Sequence, residues 1–185
     1  MSRSDEQLIS DYLEGDDQSL SVLVDRYLSD AYNFALSLTK DSQSAEDITQ
    51  ESFVKAWKNI RKFVPTNSFK SWLFRIVRNT AIDTLRKKKE VAFSVFENVE
   101  GENPLVASLA DTAPLPDELL ARAEDAQYLE KLLEQLNPEY REVLTLRNTS
   151  NLTFEEIGKI LQKPLHTVKS QHRRALIALR RLATT

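Results

Sequence analysis

Lys169, Ser170, Gln171, Arg173 and Arg174 fall within six positions near the end of a 185-residue chain, and Arg180 and Arg181 follow them. Arginine donates bidentately to guanine, Gln suits adenine, and Ser is an adaptable reader of base edges. A second cationic set holds Lys70, Arg75, Arg78 and the run Arg86-Lys87-Lys88-Lys89. Little else in the chain offers covalent or metal chemistry. There is no cysteine, so no thiol nucleophile, disulfide or Cys-based zinc site, and His166 and His172 are the only histidines. No nucleophile–base pair or ligand cluster is visible, which predicts that the chain is not an enzyme and carries no metal and no cofactor. Three glycines leave no Gly-rich phosphate loop.

The net charge of −3 hides a strong segregation. Residues 1–54 carry a net −9, residues 55–89 a net +10, residues 90–142 a net −10 and residues 143–185 a net +6. Two basic blocks separated by an acidic one form two electrostatic footprints for a polyanion. A single charge run is most simply a solvated helix face; two, each on a patterned helix, favour nucleic acid. With 41% hydrophobic and 29% charged residues the chain can bury real cores and is not a disordered tail. No stretch approaches the roughly 18 uninterrupted apolar residues of a membrane span. The first residues, Met1-Ser2-Arg3-Ser4-Asp5-Glu6, lack the order of a secretory signal, so a cytoplasmic location is expected.

The elements that must position these cations read as helices throughout. Ser44-Ala45-Glu46-Asp47 resembles a capping box, opening a helix with Phe53, Ala56, Trp57 and Ile60 on one side. Asp47, Gln50, Glu51 and Val54 fall on another side, and periodicity alone leaves open whether they are a solvated face or a contact patch for a basic partner. Pro65 breaks the pattern and Ser68 can cap the next helix, whose stripe is Phe69, Trp72, Leu73, Ile76, Val77 and Thr80. Trp72 in such a stripe reads as core. Lys70, Arg75 and Arg78 lie off that stripe. Residues 90–116 lose periodicity and gather Gly101, Pro104, Pro114 and Pro116, the composition of a flexible linker.

Helices resume at about Asp117. Asn137-Pro138-Glu139 is a helix start, Thr153-Phe154-Glu155-Glu156 is a capping box, and Gln162-Lys163-Pro164 interrupts before a last helix to about Leu182. Two helices joined by so short a turn form a helix-turn-helix. Gly158, mid-helix, predicts a close approach by the second helix. In the last helix Val168, Ala175, Leu179 and Leu182 form the buried stripe with His172 at its edge, and the cations project away. The fold class is therefore all-α, with two small helical domains (1–89 and 117–185) joined by the linker 90–116.

Four segments, in order, carry a resemblance: Ala45-Glu46-Asp47-Ile48-Thr49-Gln50-Glu51-Ser52-Phe53, Phe69-Lys70-Ser71-Trp72-Leu73-Phe74-Arg75-Ile76, Pro138-Glu139-Tyr140-Arg141-Glu142-Val143-Leu144 and Thr167-Val168-Lys169-Ser170. Together they resemble the bacterial RNA polymerase sigma factors of the extracytoplasmic-function group. The resemblance implies that Asp47, Gln50 and Glu51 meet the clamp helices of the polymerase β′ subunit. It implies that the loop 64–68, with Asn67, and the following helix, with Lys70, Arg75 and Asn79, melt and read the −10 element. Arg147, Lys169, Ser170, Gln171, Arg173 and Arg174 would face the −35 element. Core RNA polymerase, promoter DNA and an anti-sigma factor are the partners it implies.

The chain departs from the family pattern at His166 and Gln162, where glycine is usual, at Gln171, where arginine is usual, and at His172, where an apolar residue is usual. Gln171 suggests an atypical −35 preference, and His172 reads as a partly buried structural residue. The alternative is a helix-turn-helix repressor or activator that is not a polymerase subunit; loss of polymerase binding on mutating Asp47 and Gln50 separates the two.

Overall fold

A computed structural model of the chain describes residues 3–64, 68–96, 128–129, 131–148 and 150–183, and every regular element among them is helical. Helix α1 (Asp5–Leu13) starts at a capping box in which the Ser4 hydroxyl accepts from the Gln7 amide and the Gln7 side chain accepts from the Ser4 amide. Helix α2 (Asp17–Thr39) is capped by Asp16 and ends at Lys40, which adopts a left-handed conformation. Helix α3 (Ser42–Lys58) begins earlier than the capping box at Ser44 predicts. Its N-cap is Asp41, whose carboxylate accepts from both the amide and the hydroxyl of Ser44. The Asp41 carboxylate thus takes Ser44's own amide as the third-residue donor of an earlier helix start, and the Ser44 hydroxyl donates to that cap instead of acting as one.

A 3₁₀ turn (Ile60–Lys62) leads to α4 (Phe69–Phe96), where Ser68 accepts from the Ser71 amide as expected of the cap. Helix α4 runs past residue 89, so the first part of the segment read as linker is helical, and the remainder of 90–116 lies outside the described residues. Helix α5 (Pro138–Asn148) has Asn137 accepting from the Glu139 amide at 2.9 Å. Helix α6 (Phe154–Leu161) opens on the Thr153–Glu156 capping box, and α7 (Leu165–Ala183) follows a tight turn at Gln162. The left-handed backbone of Gln162 (φ 55°) explains why glycine suits this place.

The core is centred on aromatic side chains of α2, α3 and α4. Phe34 stacks on Phe74, Trp57 lies parallel to Phe69, and Phe63 meets Phe69 edge-on. Each such pair contributes about 0.5–1.5 kcal/mol beyond its burial. Trp72 packs on Phe63 and Phe69 but is only partly buried, so it sits at the edge of the core rather than within it. Phe74 is fully buried although it lies off the predicted stripe, because α4 is covered on two sides: by α2 and α3, and by α6. One continuous cluster thus extends from Leu8 in α1 to Val168 in α7, with a smaller one at Leu136, Leu144 and Ala175.

Gly158 is needed for the turn between α6 and α7. A Cβ there would meet the backbone carbonyl oxygen of Lys163 at 2.9 Å, while Val168 stays 3.9 Å away. The close neighbour is therefore the turn backbone rather than the second helix itself. That carbonyl has little freedom, since the Lys163 amide is bonded to the Gly158 oxygen at 3.0 Å. Overpacking of this kind costs about 1–3 kcal/mol, against a helix-propensity gain of about 1 kcal/mol from alanine. Gly158→Ala is expected to lower the melting temperature by several degrees in thermal circular dichroism; an unchanged or higher midpoint would show that the turn yields.

Candidate functional site

Three surfaces carry the side chains singled out in the sequence. On α3, Asp47, Gln50, Glu51 and Val54 are all exposed, and Ala45, Ile48, Thr49, Ser52, Phe53 and Ala56 face the core. Thr49 and Ser52 can turn inward because their hydroxyls donate to the carbonyls of Ala45 and Ile48, each at 2.6 Å. The outward ridge is thus two carboxylates and an amide beside an apolar residue, Val54, 48% exposed. Glu51 already pairs with Lys55 at 2.8 Å, an exposed contact of small worth.

On α4, Arg75 and Asn79 are exposed one turn apart. Lys70 is not displayed with them. It pairs with Asp30 of α2 at 2.7 Å and lies 5.7 Å from the Tyr27 ring and 5.8 Å from the Phe74 ring. Asn67, with Pro65 and Thr66, lies outside the described residues. A cleft of about 250 Å³ opens between α4 and α6, lined by Ser71, Trp72, Arg75 and Lys159. Two contacts across this junction have no precedent in local sequence spacing. The Ser68 hydroxyl donates to Glu156, and Arg78 Nε donates to Glu142 Oε1 at 2.6 Å. Burial pushes the Glu156 carboxyl upward, but the Ser68 hydroxyl, the Thr153 amide and hydroxyl and the nearby Lys70 charge outweigh it and hold the carboxyl below its usual range.

On α7, Lys169, Ser170, Arg173 and Arg174 point outward together. Gln171 departs from the expected set. It is buried, and its Nε2 donates to Glu139 Oε2 at 2.6 Å, which turns its amide away from the face that holds Ser170 and Arg174. The signal was present: Gln171 stands three residues after Val168 and four before Ala175, inside the buried stripe. Arg147 is also held within the protein, with Nη1 donating to the Leu152 carbonyl at 2.8 Å and its guanidinium 4.9 Å from the Phe154 ring centroid. His172 is half-buried with its ring edge-on to Phe154 at 5.1 Å; burial and then the Arg147 charge lower its pKa. His166 is exposed.

Sequence reasoning missed Glu142 and Glu156 as partners of α4. Glu142 is a buried acid with Val143 beside it and Leu146 one turn on, a pattern that itself asks for a cationic partner. Among the described residues there is no group of three or more His, Asp or Glu placed to hold a metal, and no helix long and apolar enough to cross a membrane.

Comparison with known proteins matches residues 23–91 to Sigma-70 region 2 and residues 126–179 to Sigma-70, region 4. The chain is similar to the ECF RNA polymerase sigma factor SigW of Bacillus subtilis, 33% identical over 170 residues that cover 91% of this chain and 90% of that one. It is similar to the RNA polymerase sigma-H factor of Pseudomonas aeruginosa, 29% identical over 181 residues that cover 95% and 91%. Among solved structures it is similar to the sigma factor RpoE of Bartonella quintana, solved with the anti-sigma factor NepR, at TM-score 0.68 and 28% identity over 89% of this chain and 96% of that one. It also shares its fold with CnrH, solved with the cytosolic domain of CnrY, at TM-score 0.70 and 22% identity over 98% of each chain.

Proposed function

The chain belongs to the extracytoplasmic-function group of sigma-70 family sigma factors, and we propose how its three surfaces divide the work of that role. It is an alternative sigma factor that directs transcription initiation, not an enzyme. Asp47, Gln50 and Glu51 dock on the clamp helices of the polymerase β′ subunit, with Val54 extending the contact. Arg75 and Asn79, with Asn67 in the preceding loop, read the −10 element. Lys70 braces that helix against α2 from behind. A base extruded from the non-template strand into the loop costs a few kcal/mol of unstacking, which its pocket returns, so strand opening needs no ATP. Lys169, Ser170, Arg173 and Arg174 face the −35 element in the major groove, while Gln171 and Arg147 hold α7 in place.

The observation that supports this reading best is the outward grouping on α7, the second helix of a tightly turned helix-turn-helix. The two reading modules correspond to residues 1–89 and 117–185. The chain works in the cytoplasm, where the polymerase is. An anti-sigma protein restrains it, by similarity to the sigma factor of Bartonella quintana solved with one. Alone it binds promoters weakly, since its acidic blocks oppose phosphate neutralisation. Run-off transcription with core polymerase on genomic fragments tests the proposal and yields the promoter sequence; no start-site selection in that mixture would refute it.

A further inference from the structure

We infer that Asp30 of α2 is a positioning residue for promoter opening: through Lys70 it fixes the first turn of α4, and with it the loop 64–68 proposed to capture the extruded base. The inference deepens the α4 reading above and rests on it.

The geometry runs from α2 to the ends of the loop. Tyr27 and Asp30 stand one turn apart on α2, and together they meet the first two residues of α4, Phe69 and Lys70. The buried Tyr27 ring lies 5.7 Å from Phe69, and its hydroxyl donates to Asp5 of α1, which holds that ring in place. The Lys70 ammonium lies 5.7 Å from the Tyr27 ring and 5.8 Å from the Phe74 ring, and it donates to Asp30 at 2.7 Å. Phe69 in turn meets Phe63 edge-on at 5.8 Å, and these two aromatic residues flank the loop. Whatever fixes Phe69 and Lys70 therefore fixes the outgoing end of the loop, and the ring contact carries the restraint to its incoming end.

Lys70 needs Asp30 for this. A lysine stem is flexible and its ammonium is strongly hydrated, so the side chain turns outward unless an acid draws it in. Asp30 is that acid, and the pair is partly shielded, with side chains 22% and 32% exposed. At about 100° per residue, Lys70 lies about 140° from Arg75 and about 180° from Asn79 around α4. Asp30 thus acts from behind the helix, away from the side chains that face DNA. A site that must hold an extruded base works only if its frame is kept within about 0.5 Å of the productive geometry.

The test uses holoenzyme assembled from the full chain and core polymerase, with a labelled single-stranded oligonucleotide carrying the −10 sequence that run-off mapping yields. Asp30→Asn keeps the shape and removes the charge. It is expected to weaken strand capture about tenfold while affinity for core polymerase stays as in wild type. Lys70→Met, which keeps most of the stem, should cost the same, and the double variant no more than either single one. The slope of log affinity against log salt should not change, because no phosphate contact is lost. Affinities are read per assembled holoenzyme, so a smaller folded fraction does not enter them. Capture that is unchanged or tightened in Asp30→Asn would overturn the inference, since a Lys70 that grips the strand itself is freed by that substitution. Additive losses, or a slope shallower by about 0.7 in Lys70→Met, would equally defeat it by placing Lys70 on a phosphate. Arg75→Ala, run beside these variants, is expected to lose capture. If it does and Asp30→Asn does not, the positioning role alone fails; if neither loses capture, the −10 assignment of α4 fails and takes the positioning role with it.

Discussion

Alanine at both Asp47 and Gln50 is expected to weaken binding to core polymerase by about a hundredfold and to abolish run-off transcription at ordinary protein concentrations, with no change in melting temperature. Both side chains are exposed on the outer face of α3, whose opposite face supplies the packing. Surface truncations away from caps and cores shift stability by about 0.5 kcal/mol or less, so loss of activity cannot be blamed on unfolding. Each truncated polar anchor at an interface centre costs about 1–2 kcal/mol, and about 1.4 kcal/mol is a factor of ten in affinity. Glu51→Ala alone should do less, because Glu51 already has Lys55 as a partner and that exchange recovers part of the loss. Native gels with core enzyme read the affinity directly. Undiminished binding by the double variant would remove α3 from the polymerase interface and return its carboxylates to the role of a solvated face.

What could be read from the sequence is what local chemistry decides. The capping box at Thr153, the Asn137 cap and the interruption at Gln162–Pro164 are set by groups within four positions of one another, and each is where its residue types place it. The start of α3 is not decided locally, because Asp41 and Ser44 are both good caps three residues apart and only the folded backbone chooses Asp41. The orientation of single cations was legible only where no distant acid claims them. Lys70 and Arg78 both lie off the apolar stripe of α4, yet Asp30 and Glu142, 40 and 64 residues away in the chain, draw them inward. No helical periodicity encodes such a pairing. Arg75 and Asn79 remained outward, as did Lys169, Ser170, Arg173 and Arg174. Gln171 is a different case: its position in the stripe is visible in the sequence, but its polar side chain suits a base reader equally well, and only the fold shows that it donates to Glu139 from a buried site.

That reassignment sharpens the second large effect, on the −35 side. Replacing both Arg173 and Arg174 by alanine is expected to lower promoter binding by the holoenzyme about a hundredfold while leaving its assembly with core polymerase intact. Both guanidinium groups leave the outward face of α7, which packs through Val168, Gln171 and Ala175 on its other side, so the helix itself should persist. A base-reading arginine contributes about 1–3 kcal/mol of discrimination. Removing one that only neutralises a phosphate makes the slope of log affinity against log salt shallower by about 0.9. Arg173→Lys and Arg174→Lys, tested singly, separate the roles, because lysine keeps the charge but loses the planar fork. A reader loses start-site preference at an unchanged salt slope; a phosphate clamp keeps both. Gln171→Ala, by contrast, should leave the preferred −35 sequence unaltered and lower stability instead, since it removes the bond to Glu139 from a buried site. If the arginine pair can be removed with no change in start-site selection, α7 is not the recognition helix, and the outward cations of the last helix serve only its solubility.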